Sequence, residues 1–321
     1  MPTGLAYHPS FLNHDTGTHP ECAERLTAIR EALRQSAVFP RLAQVPCHEA
    51  TVEDLTRIHS LEYIQRVKAA SAQSLPYLDT PDCPVSPGTW PAALRAVGGA
   101  VELCRQVLAG TLNNGFLLAR PPGHHAERDR AMGFCFFNQV AIAAAWLLHS
   151  GLERVLIFDF DVHHGNGTQH AFETSSQVFY ASIHQHPATL YPGTGWPEER
   201  GLGAGEGYTV NFPLNPGAGD AECLDVFETQ LLPLFHNYRP QFVLISAGFD
   251  GHREDPLASL NLTQVAYDRM ILAMKTLAEK NCAGRLVTVL EGGYNTKVLS
   301  HCAKSHVEIL ADSSPPRGTH F

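Results

Sequence analysis

No Cys-x-x-Cys pair occurs anywhere in this chain, and its eight cysteines (Cys22, Cys47, Cys83, Cys104, Cys135, Cys223, Cys282 and Cys302) are scattered. That spacing argues against a disulfide framework or a cysteine zinc knuckle and suits reduced thiols packed in a core. Long apolar runs are missing too. The longest, Val140 to Leu148, is far too short to cross a bilayer. The stretch Met1–Pro20 is polar and has no basic segment followed by an apolar one, as a secretion signal would. A cytoplasmic protein with no membrane partner is expected. Positive charge is scarce: 23 Lys and Arg stand against 32 Asp and Glu, a net charge of −9. Nonspecific nucleic-acid binding runs on cationic contacts to phosphate, so no nucleic-acid partner is expected. Charge blocks, internal repeats and linkers are absent as well. Residues 1–311 therefore read as a single domain, and 312–321, polar with Pro315-Pro316, as a frayed tail.

What is present is enough apolar residue for a large core, 44% against 17% charged. Helical spacing marks Glu21–Ser36 (Leu26, Ile29, Leu33) and Val52–Ala70 (Leu55, Ile58, Tyr63, Val67). Residues 71–90 read as a surface loop, followed by helices at Pro91–Leu108 and Asn138–His149. The Gly- and Pro-rich segment 184–219 reads as long loops broken by a strand at Tyr208–Phe212. Leu224, Phe227, Leu231 and Leu234 mark a helix that Pro233 is expected to kink or end. Thr263 is placed to cap a helix carrying Tyr267, Met270, Met274 and Leu277. Apolar strands alternate with these helices, which predicts a mostly parallel sheet covered on both faces.

The strands end in chemistry. Val155-Leu156-Ile157-Phe158 runs into Asp159, Asp161 and His163, which strand alternation would set on one face. Phe242-Val243-Leu244-Ile245 delivers Asp250, Leu286-Val287-Thr288-Val289-Leu290 delivers Gly292-Gly293-Tyr294, and Gly115–Ala119 leads to His124 and His125. Sites in open α/β sheets form outside such strand ends. Asp161, His163 and Asp250 are the expected ligands of one cation such as Zn²⁺. Of the two imidazoles, one would serve as base for an attacking water and donor to a leaving amine, with Asp159 orienting an imidazole. Gly292 allows close backbone approach, and the Tyr294 hydroxyl would donate to a forming oxyanion. Gly133-Phe134 and Tyr191 would wall a channel for an extended alkyl chain. His164 and His170 read as structural or helix-face residues, and His59 and His184 have no partner legible in the sequence.

Together, Arg120-Pro121-Pro122-Gly123-His124-His125, Gly133-Phe134-Cys135, Asp159 through Thr168, Tyr191-Pro192-Gly193-Thr194-Gly195, Ser246-Ala247-Gly248-Phe249-Asp250 and Glu291-Gly292-Gly293-Tyr294 resemble the histone deacetylase family in its class II form. That group includes bacterial histone-deacetylase-like amidohydrolases and acetylpolyamine amidohydrolases. The resemblance runs from His19-Pro20-Glu21 to Tyr294. It implies the arginase–deacetylase α/β fold, a single mostly parallel sheet of about eight strands flanked by helices. It implies one Zn²⁺ on Asp161, His163 and Asp250, and a structural K⁺ or Na⁺ near Asp159, Asp161, His163, Ser182 and Ile183. A second monovalent site would lie near Phe172, Ser175, Val178 and Tyr208. Class I members carry Asp where Asn166 stands, so the partner of His125 is neutral here, as in class II.

The implied substrate is an acyl-lysine protein or peptide, or a small acylated amine. Leu257 stands where a polyamine-specific relative has a gatekeeper glutamate, which speaks for acyl-lysine over acetylpolyamine. Asp82, in the Pro/Asp-rich loop, would meet substrate at the rim. Two other readings are a non-catalytic acyl-lysine-binding homologue and a binuclear manganese ureohydrolase. The latter would need carboxylates where Gly165 and His252 stand. Acyl preference and oligomeric state stay open.

Overall fold

Runs that are apolar at every position leave no polar face, so they belong in a sheet covered on both sides. The computed structural model describes residues 1–312, and most of the tail expected from 312 onward lies outside the described residues. Its strands are β1 (Thr3–Ala6), β2 (Ala43–Val45), β3 (Asn114–Leu117), β4 (Val155–Asp159), β5 (Val178–Gln185), β6 (Thr209–Leu214), β7 (Phe242–Ala247) and β8 (Leu286–Leu290). They form one eight-stranded sheet in the order β2-β1-β3-β8-β7-β4-β5-β6. Every pairing is parallel. β1, β2 and β5 are not legible in the sequence: β1 and β2, at four and three residues, are too short to show a period, and in β5 the buried Ser182, His184 and Gln185 interrupt the apolar run.

Helices Thr89–Leu108 and Gln139–His149 pack together against β3, β4 and β7. A second group, Ala23–Arg34, Gln264–Cys282 and Thr296–Ala311, packs together and against β3 and β7. Local chemistry starts these helices. Asn138, Thr263 and Asn295 each accept a backbone N–H from the first turn of the helix that follows. Phe158 stacks against Phe227 and Phe235, tying the centre of the sheet to the 226–238 region. Burying a ring of that size contributes roughly 1.5–3 kcal/mol.

Three expectations about helices are corrected. The helix expected over Val52–Ala70 is two, Val52–Thr56 and Leu61–Gln73. Ser60 caps the second by accepting from Tyr63 N, while its own N–H donates to Arg128 O, pulling the chain out of the helical path. The 71–90 loop is shorter than expected, because helices reach Gln73 on one side and begin at Thr89 on the other. Pro233 does not end its helix. A π-helical turn at Val226–Leu231 precedes it, and Pro233 falls in the first turn of Leu232–Tyr238, where no N–H is required of it.

Candidate active site

β4 stops at Asp159, so the alternation expected to align Asp159, Asp161 and His163 does not extend through them. Two local turns replace it. Asp159 Oδ1 accepts from Asp161 N at 3.1 Å, and Asp161 Oδ1 accepts from His163 N at 2.9 Å. Aspartate side chains bend backbone this way readily. The three side chains converge through those turns rather than through a pleat.

β7 is the in-register neighbour of β4 and brings Asp250 alongside. His163 Nδ1 lies 3.1 Å from Asp161 Oδ1 and 3.1 Å from Asp250 Oδ2. Ligand atoms of Asp161, His163 and Asp250 all fall within 4.8 Å of one another. Both carboxylates are fully buried, where two like charges are costly without a counter-charge. Burial alone would lower the His163 pKa, yet hydrogen bonds to Asp161 and Asp250, and their charge, raise it to about 10. Burial also pushes Asp250 up, with Asp161 adding to it, whereas His124 and His163 override burial to hold Asp161 well below the usual carboxylate range. This donor set, two hard oxygens and one imidazole nitrogen, fits a divalent metal. β8 closes it from behind. Gly292 N donates to Asp161 Oδ2 at 2.8 Å, and a Cβ at Gly292 would stand 2.1 Å from Asp250 Oδ2, so only glycine fits.

The His pair arrives from β3 and is buried. His124 Nδ1 lies 3.1 Å from Asp159 Oδ2, and His125 Nδ1 lies 2.7 Å from Asn166 Oδ1. Their ring centroids are 4.1 Å apart. Burial would lower both pKa values. At His124 the charges of Asp159, Asp161 and Glu291 reverse that and raise it to about 10. At His125 nothing reverses it; the charges of His124 and His163 add to burial and hold it well below its ordinary value. One imidazole is held charged and its neighbour neutral.

A buried network that the sequence reading missed holds these loops. Glu21 accepts from Arg120 Nε at 2.5 Å and Nη2 at 2.8 Å, and from Arg25 Nη1 at 2.9 Å. Arg120 begins the loop to the His pair. Arg25 donates through Nε to Gly293 O and through Nη2 to Glu291 O, and its guanidinium sits 5.0 Å over the Tyr294 ring. Glu291 Oε2 accepts from Gly123 N and His124 N, and Asp255 Oδ2 accepts from Tyr294 N at 2.6 Å. The strand-end motifs contain Arg120 and Glu291, but only a fold shows whom they bond.

A cavity of about 240 Å³ opens onto this cluster. Its floor is His124, His125 and His163, with Gly292 and Tyr294 beside them; Phe134 and Tyr191 wall it and Asp82 reaches it from the 74–88 loop. Phe134 meets the Tyr294 ring edge-on at 5.7 Å, and Tyr191 meets His125 at 5.2 Å. Gly133, at φ +56°, packs where a Cβ would stand 2.2 Å from His125 Cδ2, and its N–H donates to Asp82 Oδ2 at 3.0 Å. Leu257 is not among the lining residues; its N–H donates to Asp255 Oδ1.

Ser182 and Ile183 lie on β5, with Ser182 in register with Asp159, and the Ser182 hydroxyl bonds His184 Nδ1. Phe172, Ser175, Val178 and Tyr208 gather at the other end of β5, where Phe172 O accepts from Ser175 N and Tyr208 O from Tyr180 N. His164 is not on a strand; it is buried and bonded to Thr194 and Gln169. His184 bonds Gly195 O, and His59 bonds Glu127 O and Asn138 N.

Four adjacent parallel strands, β3, β8, β7 and β4, thus deliver a triad of two carboxylates and an imidazole, an unequally partnered imidazole pair and a phenol to one cavity. Such an arrangement is chemically able to polarise a bound carbonyl and to move protons beside it. Residues 19–310 match the family model for the Histone deacetylase domain, and the chain belongs to the histone deacetylase family. It is 43% identical over 301 residues to a "Probable deacetylase" of Archaeoglobus fulgidus, covering 92% of this chain and 82% of that protein. It is 37% identical over 295 residues to a "Histone deacetylase-like amidohydrolase" of Pseudomonas aeruginosa, covering 91% and 77%. The crystal structure of the HDA15 HD domain superposes with a TM-score of 0.92 at 38% identity, covering 98% of this chain and 90% of that one. The fold is therefore the arginase–deacetylase fold. The chain spans only 53% of the plant Histone deacetylase 15. Among the described residues, no helix is long and apolar enough to cross a membrane.

Proposed function

We propose that this deacetylase-family protein is a zinc-dependent amidohydrolase that removes acetyl or another acyl group from the ε-amine of lysine in proteins or peptides. The observation that carries the reading is the unequal His pair beside the triad: His124 on an aspartate, His125 on a neutral amide. Asp161, His163 and Asp250 would hold the Zn²⁺, which when bound supplies a Lewis acid for the acyl carbonyl and lowers the pKa of water. His125, kept neutral, takes the proton of the attacking water and passes one to the departing amine. His124, kept charged by Asp159, stabilises negative charge without moving a proton. The Tyr294 hydroxyl donates to the carbonyl oxygen as charge builds there. Phe134 and Tyr191 exclude water from an alkyl chain. Asp159, Asp161, His163, Ser182 and Ile183 would hold a structural K⁺ or Na⁺, and carbonyls near Phe172, Ser175, Val178 and Tyr208 a second. Eight free cysteines, seven of them buried, are consistent with a reducing cytoplasm.

A second reading, deacetylation of acetylpolyamines, rests on Asp82, the carboxylate among the lining residues, which could meet a second ammonium. A binuclear centre is disfavoured because a Cβ at Gly165 would stand 2.3 Å from Asp159 Oδ2, leaving no room for a further carboxylate. The deciding experiment measures kcat/KM of zinc-loaded protein on acetyl-lysine peptides, longer acyl-lysines and acetylpolyamines, with metal content per chain. Preference for a lysine peptide supports the first reading, and preference for a polyamine the second. No turnover of any of them would leave only a binding role.

A further inference from the structure

His125 can act as a base only if its free lone pair is on Nε2, facing the cavity, which requires the proton on Nδ1. Among the described residues, its side-chain partner at Nδ1 is the Asn166 amide, and an amide offers an acceptor at one end and donors at the other. Which end faces the ring is therefore decided by what else Asn166 touches. Its Nδ2 lies 2.5 Å from Glu127 Oε1, 3.3 Å from His125 O and 3.4 Å from Met132 Sδ. All three accept and none donates, so the nitrogen must face them and Oδ1 must face His125 Nδ1. Of the three, Glu127 is the nearest and can bear a full charge.

Glu127 is itself held in place. Its carbonyl accepts from His59 Nδ1 at 2.9 Å, and the other nitrogen of that buried ring accepts from Asn138 N at 3.0 Å. Its N–H donates to Arg130 O. The same Oε1 receives His170 Nδ1 at 2.8 Å, from the helix Asn166–Phe172. A surface His–Glu contact alone contributes little. Here the oxygen that takes it also takes the amide behind a cavity-floor imidazole.

We infer that Glu127 is a positioning residue: its carboxylate locks the Asn166 amide in one orientation and thereby fixes His125 as the Nδ1–H tautomer. The device orients the ring while keeping the full negative charge one amide away from it. This rests on the reading of His125 as the base. Glu127 is half-buried and lines a surface cavity of about 160 Å³ together with His170 and Arg57.

The test uses the metal-loaded full chain with Glu127→Ala and Glu127→Gln, each alone and combined with Asn166→Ala. Kinetics on an acetyl-lysine peptide and metal content are read beside long-range ¹H–¹⁵N spectra of the histidines, with His125→Gln assigning the His125 signal. Glu127→Ala is expected to lower kcat about 3- to 10-fold, the worth of one positioning hydrogen bond, with KM and metal content unchanged. Glu127→Gln, whose carbonyl can accept the same amide hydrogen, should restore most of it. Neither should add to the loss in Asn166→Ala, and Glu127→Ala should move the His125 spectrum from Nδ1–H toward a mixture. An unmoved spectrum, or losses that multiply with those of Asn166→Ala, overturns the inference. If the wild type hydrolyses no acylated amine but the spectrum shifts, the tautomer lock stands and the proposed activity falls. If wild type is active, His125→Ala is dead and Glu127→Ala matches wild type, the inference alone falls.

Discussion

Replacing Glu21 by Gln removes one negative charge from between two fully buried guanidinium groups while keeping the side chain's shape. Burial alone would raise the Glu21 pKa, but Arg120 and then Arg25 lower it from 4.5 to about 2. A shift of that size corresponds to about 3 kcal/mol of stability at neutral pH. Breaking a buried ion pair by deleting one partner gives the same scale independently, about 3–5 kcal/mol. For a chain this long, with an unfolding entropy of about 2 cal/mol/K per residue, that lowers Tm by roughly 4–7 °C. The folded pKa lies below the unfolded one, so the contribution is present above pH 4.5 and fades as pH falls toward 2. Urea unfolding of wild type and Glu21→Gln, run from pH 7 downward, should show a gap of about 3 kcal/mol that closes below pH 4.5. Because Arg25 also holds Gly293 O and Glu291 O, and Arg120 begins the His loop, turnover should fall with stability. Melting curves that coincide at pH 7, or a gap that acid leaves unchanged, would show that the network does not carry this charge.

Three further outcomes follow from the site. Asp250→Ala should lose zinc and activity together, read by metal analysis of the purified chain; full zinc occupancy would refute the ligand assignment. Tyr294→Phe should keep zinc while kcat falls by roughly 10²–10³, and near-wild-type turnover would place the phenol outside the chemistry. Asn166→Asp sets a full charge against His125 and raises its pKa, so more of the base is protonated at a given pH. The acidic limb of the kcat/KM profile should therefore move to higher pH, with His125→Ala nearly inactive and His124→Ala retaining more activity. An unmoved limb, or a reversed order of damage, would overturn the division of roles.

Much of this molecule was legible before folding. Buried parallel strands are apolar at every position, so β4, β7 and β8 announced themselves, as did the Asp, Tyr and His residues that follow strands β3, β4, β7 and β8. Those signals are local: period, turn residues and chemical type all lie within a dozen positions. Where a local rule competed with another, it misled. Strand alternation predicts one face for Asp159, Asp161 and His163, but aspartate side chains turn the backbone there, and helical spacing predicts one helix over Val52–Ala70 where Ser60 caps a second. What the tertiary structure alone decided is who partners whom. Glu21 finds Arg120, 99 residues away; Arg25 finds the backbone of Glu291 and Gly293; Asp255 finds Tyr294; and Glu127 finds Asn166 and, through it, His125. A carboxylate in a sequence has no preferred partner among many. Only burial, which makes an unpaired charge or an unmet amide costly, selects one.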